Sequence, residues 1–482
     1  MKDDTPRIHW LIALVPFAVL VLLQVLVIKQ FGSDAIDGAS QTALLFSAAV
    51  AVAIAMVGYK VPWKTINGAI GDNVKTIGPA ILILFLIGAV SGSWMMSGVV
   101  PTMIYYGMKV ITPSLFLFLA CLICALVSLV TGSSWTTVAT VGIALIGIGT
   151  AHGYSVGWTA GAIISGAYFG DKISPLSDTT VLASSVNGVP LFSHIRYMLF
   201  TTVPSFVITL VIFTVLGLTH GGTPETEMEV DTSVLGSHFH LTPWLLLVPA
   251  FTVWMIWKRQ PAIMVLALSA LVAAVAALIF QPDIVRGIGS AVASGSAAKV
   301  QFTGVVRMVY DSVSLDTGVA EVDQLLVTRG MVGMLNTVFL ILCAMCFGAC
   351  MKASGMIADL SRILAPLTRT RTGLVGSTVV TGTALNGVVS DQYLAILLTS
   401  NIYRDSFDKQ GYEPRLLSRS VEDSATVTSP LFPWSSCGMT QATILSVPTL
   451  AYAPFCFFNL LSPLISILVA ALGWKIVKPK KA

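Results

Sequence analysis

The chain has 482 residues, of which 55% are hydrophobic and only 10% are charged, with a net charge of +4. This composition is too apolar for a soluble protein, leaves no soluble catalytic domain, and has room for about a dozen spanning helices of ~20 residues. The charges form no basic face with interleaved aromatic residues, so we expect a lipid bilayer and no nucleic acid as the partner.

Apolar runs along the chain predict an all-α polytopic membrane protein with about 11–13 transmembrane helices, some of them discontinuous. The first run is long and no small-residue cleavage pattern follows it, so we expect a retained helix and not a signal peptide. The runs lie at about residues 8–28, 42–59, 78–100, 112–131, 135–151, 156–170, 197–218, 241–257, 262–281, 331–351, 373–401, 437–447 and 451–477.

Basic residues mark one side of the membrane. Because Lys and Arg are enriched in cytoplasmic loops, we expect this side, with both termini, to be cytoplasmic. The acid-rich segments 220–240 and 283–330 are expected outside, the second as an amphipathic surface helix or a partly ordered linker. The basic residues are Lys2, Arg7, Lys60, Lys64, Lys75, Lys258, Arg259, Lys352, Arg362, Arg369, Arg371, Lys475, Lys478, Lys480 and Lys481.

Two polar stretches in this apolar sequence look like copies of one motif, GDKISPLSDTT at 170–180 and VEDSATVTSPLFPWSS at 421–436. Each places carboxylates before Ser-Pro-Leu, and each follows a Thr-Gly pair, Thr131-Gly132 or Thr381-Gly382, at a similar distance. The basic loops give the two copies opposite directions across the membrane. Inverted repeats with interrupted helices are a signature of secondary transporters, whose binding site lies between the copies.

This pattern divides the chain into four parts. We predict N-terminal helices in 1–77 and a first inverted repeat in 78–219. A linker with two helices and the outer amphipathic segment would occupy 220–330, and the second inverted repeat 331–482. Each repeat would end in a long apolar helix.

Carboxylates within the apolar repeats are the leading candidates for proton and cation exchange. A charged side chain at membrane depth costs roughly 2.5–3.5 kcal/mol on insertion scales, so it marks an ion or substrate pathway by default. Asp391 has no basic residue near it in the sequence, whereas Lys172 beside Asp171 either neutralises a carboxylate or marks a solvated membrane boundary. The candidates are Asp171, Asp178, Asp391, Asp423 and Glu422.

Hydroxyl and amide side chains near the two Thr-Gly pairs are candidate oxygen donors to a cation or a substrate. Unwound backbone at membrane depth is tolerated where it lines a cavity, and its freed carbonyl groups suit a hard cation such as Na⁺. The alternative for these residues is a small-residue face that packs helices together. The candidates are Thr131, Ser133, Ser134, Thr136, Ser174, Thr381, Thr383, Asn386 and Ser429.

Protons and Na⁺ would compete for the buried carboxylates. Burial favours the protonated acid, whereas a bound Na⁺ favours the carboxylate, so one site holds either cation. Our hypothesis places Na⁺ at Asp171 and Asp391. Competition combined with alternating access gives antiport, in which an inward proton gradient drives Na⁺ outward.

Four stretches of the chain carry a resemblance to a known family: GSSWTTVATVG (132–142), SGAYFGDKISPLSDTT (165–180), NGVVSDQYLAI (386–396) and SATVTSPLFPWSSCG (424–438). Together they resemble the NhaC family of Na⁺/H⁺ antiporters, within the wider ion-transporter grouping of inverted-repeat carriers. The resemblance spans about residues 60–470 and implies Na⁺ extrusion coupled to proton entry across a bacterial inner membrane. The family also includes carriers of organic solutes, such as malate/lactate exchangers and amino-acid transporters.

A Na⁺- or H⁺-coupled transporter or exchanger of an amino acid or carboxylic acid is the alternative function. Lys172, Arg419 or the hydroxyl runs would then bind the carboxylate of the substrate. Trp135 and Trp434 would wall the larger pocket that such a substrate needs.

The remaining function classes fit less well. Two inverted discontinuous units serve alternating access better than a passive pore. His238 and His240 fall in a predicted outer loop, and no phosphate-binding loop is apparent, so we expect neither an enzyme nor a primary pump. We expect no cofactor beyond the transported Na⁺ and H⁺, and a homodimer stays open.

Overall fold

The described part of the chain is built from helices. The computed structural model describes residues 9–31, 38–76, 78–220, 232–258, 260–315, 317, 319, 323, 326, 328, 330–356 and 369–476. Within these residues no β-strand occurs, which confirms the predicted all-α class. Some predicted topology markers lie outside the described residues: 221–231 of the acidic segment, and Lys2, Arg7, Arg259, Arg362, Lys478, Lys480 and Lys481.

Sixteen α-helices precede residue 311 in the described chain. They are α1 Trp10–Phe31, α2 Ala39–Ala53, α3 Trp63–Thr76, α4 Gly78–Met96, α5 Val99–Val110, α6 Phe116–Thr131, α7 Ser134–Thr137, α8 Ile143–Ala151, α9 Val156–Ile173, α10 Asp178–Val186, α11 Leu191–His220, α12 Thr232–His238, α13 Leu247–Trp257, α14 Ala262–Phe280, α15 Pro282–Ser290 and α16 Ala297–Tyr310.

Seven further α-helices follow in the described residues after 330. They are α17 Leu335–Ala353, α18 Arg371–Val389, α19 Gln392–Lys409, α20 Pro414–Val421, α21 Ser436–Leu445, α22 Thr449–Tyr452 and α23 Phe457–Leu472. Three π-helical segments, Ile54–Gly58, Val138–Gly142 and Glu422–Thr426, extend α2, join α7 to α8 and continue α20. Such segments are rare and occur frequently at functional sites.

The chain is a polytopic membrane protein. Eight helices of the described residues are long and apolar enough to cross a membrane, or up to ten if each bent pair is one span. The bent pairs are α4 with α5, at 67°, and α22 with α23, at 52°. This number is below the predicted 11–13, because some predicted runs form short helices such as α21, with 10 residues, or polar ones such as α9, which contains Asp171 and Lys172.

Glycines bring α6 and α9 into close contact. A methyl group at Gly166 would lie 2.0 Å from the Cys121 carbonyl oxygen, and one at Gly170 would lie 2.2 Å from that of Ala125. Backbones approach this closely at small-residue interfaces between membrane helices. The contact holds Asp171, which follows Gly170 directly, beside the end of α6.

Two predicted apolar runs are divided in the structure. The run 373–401 forms α18 and α19, which are separated at Ser390 and Asp391. The run 451–477 contains the bend between α22 and α23. Helix α5 was not predicted, because its sequence mixes Pro101, Tyr and Lys109 with apolar residues.

Segment 283–330 contains a helical hairpin. A methyl group at Gly289 would lie 2.0 Å from the Val300 carbonyl oxygen, so α15 and α16 are in close contact. Helix α16 also packs on α4, where Gly92 faces the Met308 carbonyl oxygen. The outer location of this segment and the boundaries of the inverted repeats stay predictions.

Candidate functional site

Helix α6 ends in a sharp break at Gly132. Its φ angle is +65°, which residues with a side chain rarely adopt, and a methyl group there would lie 2.6 Å from the Leu176 carbonyl carbon. Ser133 then caps α7, because its hydroxyl oxygen accepts a hydrogen bond from the Thr136 N–H at 3.2 Å. The turn expected at Thr131–Ser133 is therefore present.

Asp171 connects this break with the next one in the chain. Its Oδ2 accepts a hydrogen bond from the Ser134 N–H at 3.0 Å, and the Ser177 side chain lies beside the carboxylate. Ser177 caps α10 after the Ser-Pro-Leu turn. Asp171 is 6% exposed and Lys172 is 0% exposed. Both side chains are therefore buried within the protein and not solvated, and their depth in the membrane stays a prediction.

The second predicted repeat has a similar break at Ser390 and Asp391. Ser390 has a φ angle of +57°, and the Asp391 carboxylate caps α19 by accepting the Leu394 N–H at 2.9 Å. The Ser436 hydroxyl lies 3.5 Å from Asp391 Oδ2, and the Ser436 N–H donates to the Ser390 carbonyl oxygen at 2.8 Å. As at Gly132 and Ser133, a left-handed residue is followed by a capping side chain.

The matching break expected near Thr381 and Gly382 is absent, and that expectation is wrong. Both residues lie inside α18, where the Thr381 hydroxyl is 2.8 Å from the Tyr403 hydroxyl and Gly382 faces Ser424. The alternative of a small-residue packing face fits this stretch. Its structural place in the repeat is taken by Ser390 and Asp391.

The breaks at Gly132 and at Ser390 open onto one cavity of about 430 Å³. Five of the predicted site residues line it: Asp171, Asp178, Asp391, Ser133 and Ser134. The rest of its wall consists of Pro79, Ile83, Gly132, Trp135, Ser177, Thr179, Ile341, Met345, Gln392, Tyr393, Leu394, Leu397 and Ser436. The structure thus places Asp171 and Asp178 around the same space as Asp391, which lies more than 200 positions later in the chain.

The wall of this cavity is acidic. Three carboxylates line it, and no Lys, Arg or His is among the described residues of its wall. Helices α10, α19 and α21 begin at the lining residues Asp178, Gln392 and Ser436. The positive ends of their dipoles therefore lie at the cavity wall and stabilise negative charge there.

The other predicted residues do not line the cavity. Several of the oxygen donors among them make hydrogen bonds that hold the breaks in shape: Ser174 donates to the Leu129 carbonyl oxygen at 2.8 Å, and the Asn386 amide donates to that of Ala425 at 2.7 Å. Thr383 lies in α18. The predicted residues outside the cavity wall are Thr131, Thr136, Ser174, Thr381, Thr383, Asn386, Ser429, Glu422 and Asp423.

Asp423 belongs to a separate, fully buried ion pair. Lys172 pairs with Asp423, and both side chains are 0% exposed. Lys172 also donates to the Ser462 hydroxyl at 3.0 Å, the Thr201 hydroxyl donates to Asp423 at 3.0 Å, and Arg419 Nε lies 3.7 Å from Asp423 Oδ2. Lys172 and Arg419 therefore face Asp423 and not the cavity.

Glu422 lies behind the cavity wall. It is 0% exposed, and neither carboxyl oxygen has a hydrogen-bond partner among the described residues. The side chains of Thr179 and Thr426 lie beside its carboxyl group. Thr179 also lines the cavity, so this side chain lies next to both Glu422 and the cavity.

Sequence reasoning missed several residues of the cavity wall. Ser177 and Ser436 stand at helix starts after proline-containing turns, and a Ser before a helix is a recognisable capping signal. Gln392 and Tyr393 directly follow the Asp391 cap. Trp135 lines the cavity as expected of a pocket wall, whereas Trp434 instead donates to the Gly387 carbonyl oxygen at 2.8 Å.

Comparison with known proteins gives a family match over most of the chain. The model described as "Na+/H+ antiporter family" matches residues 5–185 and 166–474. Among curated proteins, the chain is 35% identical over 428 residues to "Na(+)/H(+) antiporter NhaC" of Bacillus subtilis, covering 88% of this chain and 91% of that protein.

Two other relatives are named for the transport of other solutes. "Malate-2H(+)/Na(+)-lactate antiporter" of Bacillus subtilis is 36% identical over 423 residues, which cover 87% of this chain and 86% of that protein. "Arginine/ornithine antiporter ArcD" of Halobacterium salinarum is 34% identical over 470 residues, which cover 96% of this chain and 92% of that protein.

Proposed function

The chain belongs to the Na⁺/H⁺ antiporter family, and on this premise we propose that it exports Na⁺ from a bacterial cytoplasm in exchange for protons. Li⁺ is the expected second cation, because it has the same charge and also prefers oxygen ligands. The protein would be a secondary transporter of the inner membrane, without enzymatic activity and with both termini in the cytoplasm.

One observation carries this proposal. The cavity gathers Asp171, Asp178 and Asp391 from both repeats, and its described wall has no Lys, Arg or His. Such a wall attracts cations and repels anions. A carboxylate that loses Na⁺ in a buried place favours a proton in exchange, so the same oxygens serve both cations.

The breaks would supply further oxygen atoms for Na⁺. Asp171 and Asp391 are fixed by backbone N–H groups of Ser134 and Leu394, which leaves their remaining lone pairs for a cation. Ser133 and Ser436 place hydroxyl groups at the same two breaks. Na⁺ is the cargo in this scheme, and protons return on the carboxylates.

The basic loops would orient the cavity toward the cytoplasm. Pro79 lines the cavity at the exposed start of α4, shortly after the basic residues Lys60, Lys64 and Lys75. Because such loops stay on the cytoplasmic side, this structure would represent an inward-open state. Alternating access requires a second state that opens on the other side.

Transport of an organic acid or amino acid is the second candidate. A volume of about 430 Å³ exceeds the needs of one ion, and the starts of α10, α19 and α21 would attract a substrate carboxylate. Two relatives are named for organic solutes. The three wall carboxylates oppose an anion, which is why we place this candidate second.

Purified protein in liposomes that contain a pH dye would test the proposal. Na⁺, Li⁺, K⁺ and a panel of amino and carboxylic acids would be added outside in turn, with protein-free liposomes as the control. Na⁺ or Li⁺ alone should drive proton movement. Silence with inorganic cations and a response only to an organic acid would overturn the proposal in favour of the second candidate.

A further inference from the structure

Glu422 is a buried carboxyl group that the exchange at Asp171 and Asp391 does not use. It is 0% exposed, and both of its oxygens are without a hydrogen-bond partner in the described chain. An ionised carboxylate in such a place costs several kcal/mol, so a buried charge is normally paired or neutralised. Glu422 therefore needs either a proton or a cation.

The charged neighbours of Glu422 do not supply a partner. Lys172 and Asp171 are the charged groups that face it. The Lys172 ammonium group is engaged by Asp423 and by Ser462 at 3.0 Å, and Asp171 carries the same sign of charge as an ionised Glu422. A proton is therefore the simplest neutralising group, but Glu422 has no exposed surface through which water could deliver it.

A chain of hydroxyl groups leads from Glu422 to the cavity. The Thr179 side chain lies beside the Glu422 carboxyl group. The Thr179 and Ser177 hydroxyl oxygens are 3.0 Å apart, and the Ser177 side chain lies beside the Asp171 carboxylate. Both residues belong to the cavity wall. The relay requires Glu422 and Thr179, and Ser177 and Asp171, to come within hydrogen-bond distance.

We propose that Glu422 stores a proton for the exchange, and that the Thr179 and Ser177 hydroxyls relay this proton to Asp171 and the cavity. The proposal rests on the proposed Na⁺/H⁺ exchange and adds a second proton site to it. Each relay step moves one proton. Glu422 gives its proton to the Thr179 oxygen, Thr179 gives its own to Ser177, and Ser177 gives its own to the Asp171 carboxylate, so the total charge is unchanged.

Thr179→Val tests the relay, because it keeps the shape of the side chain but removes the hydroxyl. Na⁺-driven proton flux should fall by about a hundredfold or more, in the range expected for loss of a proton-transfer group. Exchange of radioactive Na⁺ for unlabelled Na⁺ at equal pH needs no net proton movement and should fall far less than the proton flux. Thr179→Ser should restore most of the proton flux.

Thr180→Val is the matched control. Thr180 is equally buried on the same helix, but its hydroxyl donates to the Lys172 carbonyl oxygen at 2.8 Å, outside the relay. The Thr180→Val variant should retain both the Na⁺-driven proton flux and the Na⁺ exchange. Wild-type proton flux in Thr179→Val would overturn the relay, and parallel loss of both fluxes would assign Thr179 a structural role instead. A wild-type protein without Na⁺-driven proton flux would overturn the proposed function itself.

Discussion

Asp391 has two roles that one substitution separates. Its carboxylate lines the cavity and also caps α19 by accepting the Leu394 N–H. Asn caps a helix about as well as Asp, but it has no charge to offer Na⁺ or a proton. Asp391→Asn should therefore abolish Na⁺-driven proton flux while its unfolding temperature in detergent stays within a few degrees of wild type.

The same replacement at an exposed position provides the control for Asp391. Asp405 lies on the same helix and is exposed. Asp405→Asn should retain wild-type proton flux. Full flux in Asp391→Asn would remove Asp391 from the mechanism and leave Asp171 as the principal exchange site.

Lys172 should contribute mainly to stability. Lys172→Met leaves the Asp423 carboxylate buried without its closest cation, and breaking a buried ion pair in this way costs about 3–5 kcal/mol. The lower end is expected, since Arg419 stays 3.7 Å from Asp423. Thermal unfolding in detergent would measure the loss.

The double variant Lys172→Met with Asp423→Asn provides the check on this explanation. Removal of both charges should recover most of the lost stability, because the cost comes from the unpaired carboxylate. If the double variant is less stable than Lys172→Met, the ion pair is not the source of the effect.

At the scale of the helices, the sequence predicted the first break and misplaced the second. Gly132 is the signal for the first break, because only glycine readily adopts its backbone angle. Ser390 adopts a similar angle without being glycine, and nothing in its residue type predicts this. Thr381 and Gly382 have the same residue types as Thr131 and Gly132, but they lie inside the continuous helix α18. There Gly382 allows a close contact with Ser424.

Gly132 should be required for more than its backbone angle. A methyl group there would meet the Leu176 backbone at 2.6 Å, whereas Gly188 has the same φ angle of +65° and open space around it. Gly188→Ala should cost about 1–2 kcal/mol for the angle alone. Gly132→Ala should cost about 1–3 kcal/mol more for the contact, and should reduce transport.

Unfolding temperatures and proton flux of the two glycine variants would be compared side by side. If the two variants lose the same amount of stability, the contact of Gly132 with Leu176 contributes nothing to the free energy of unfolding. In that case the contact between Gly132 and Leu176 would not hold the cavity in shape.

For the whole molecule, composition and motifs were sufficient for the fold class and the family, because both depend on features spread over the chain. The cavity depends on contacts between distant residues and was only partly predictable. The sequence showed that Asp391 is isolated in apolar surroundings, but it could not show that Asp423 is neutralised by Lys172, a residue 251 positions away. The acidic cavity wall is therefore recognisable only in the folded structure, where Asp171, Asp178 and Asp391 line the same cavity.

The orientation of the cavity in the membrane is the property of the whole molecule that most directly tests the transport cycle. Pro79 is exposed at the cavity mouth, and a proline at the start of a helix donates no hydrogen bond that its replacement would lose. Pro79→Cys should therefore react with a membrane-impermeant maleimide in inside-out vesicles and stay unlabelled in right-side-out vesicles.

Two controls define this result. The native cysteines are buried except for the partly buried Cys346, so the wild-type protein measures the background. Leu468 is half exposed on an apolar face of α23. A Leu468→Cys variant should resist labelling from both sides, because lipid would cover the cysteine. Labelling of Pro79→Cys only from the outside would reverse the orientation, and the α4 end of the cavity would then be the side on which protons enter and Na⁺ leaves.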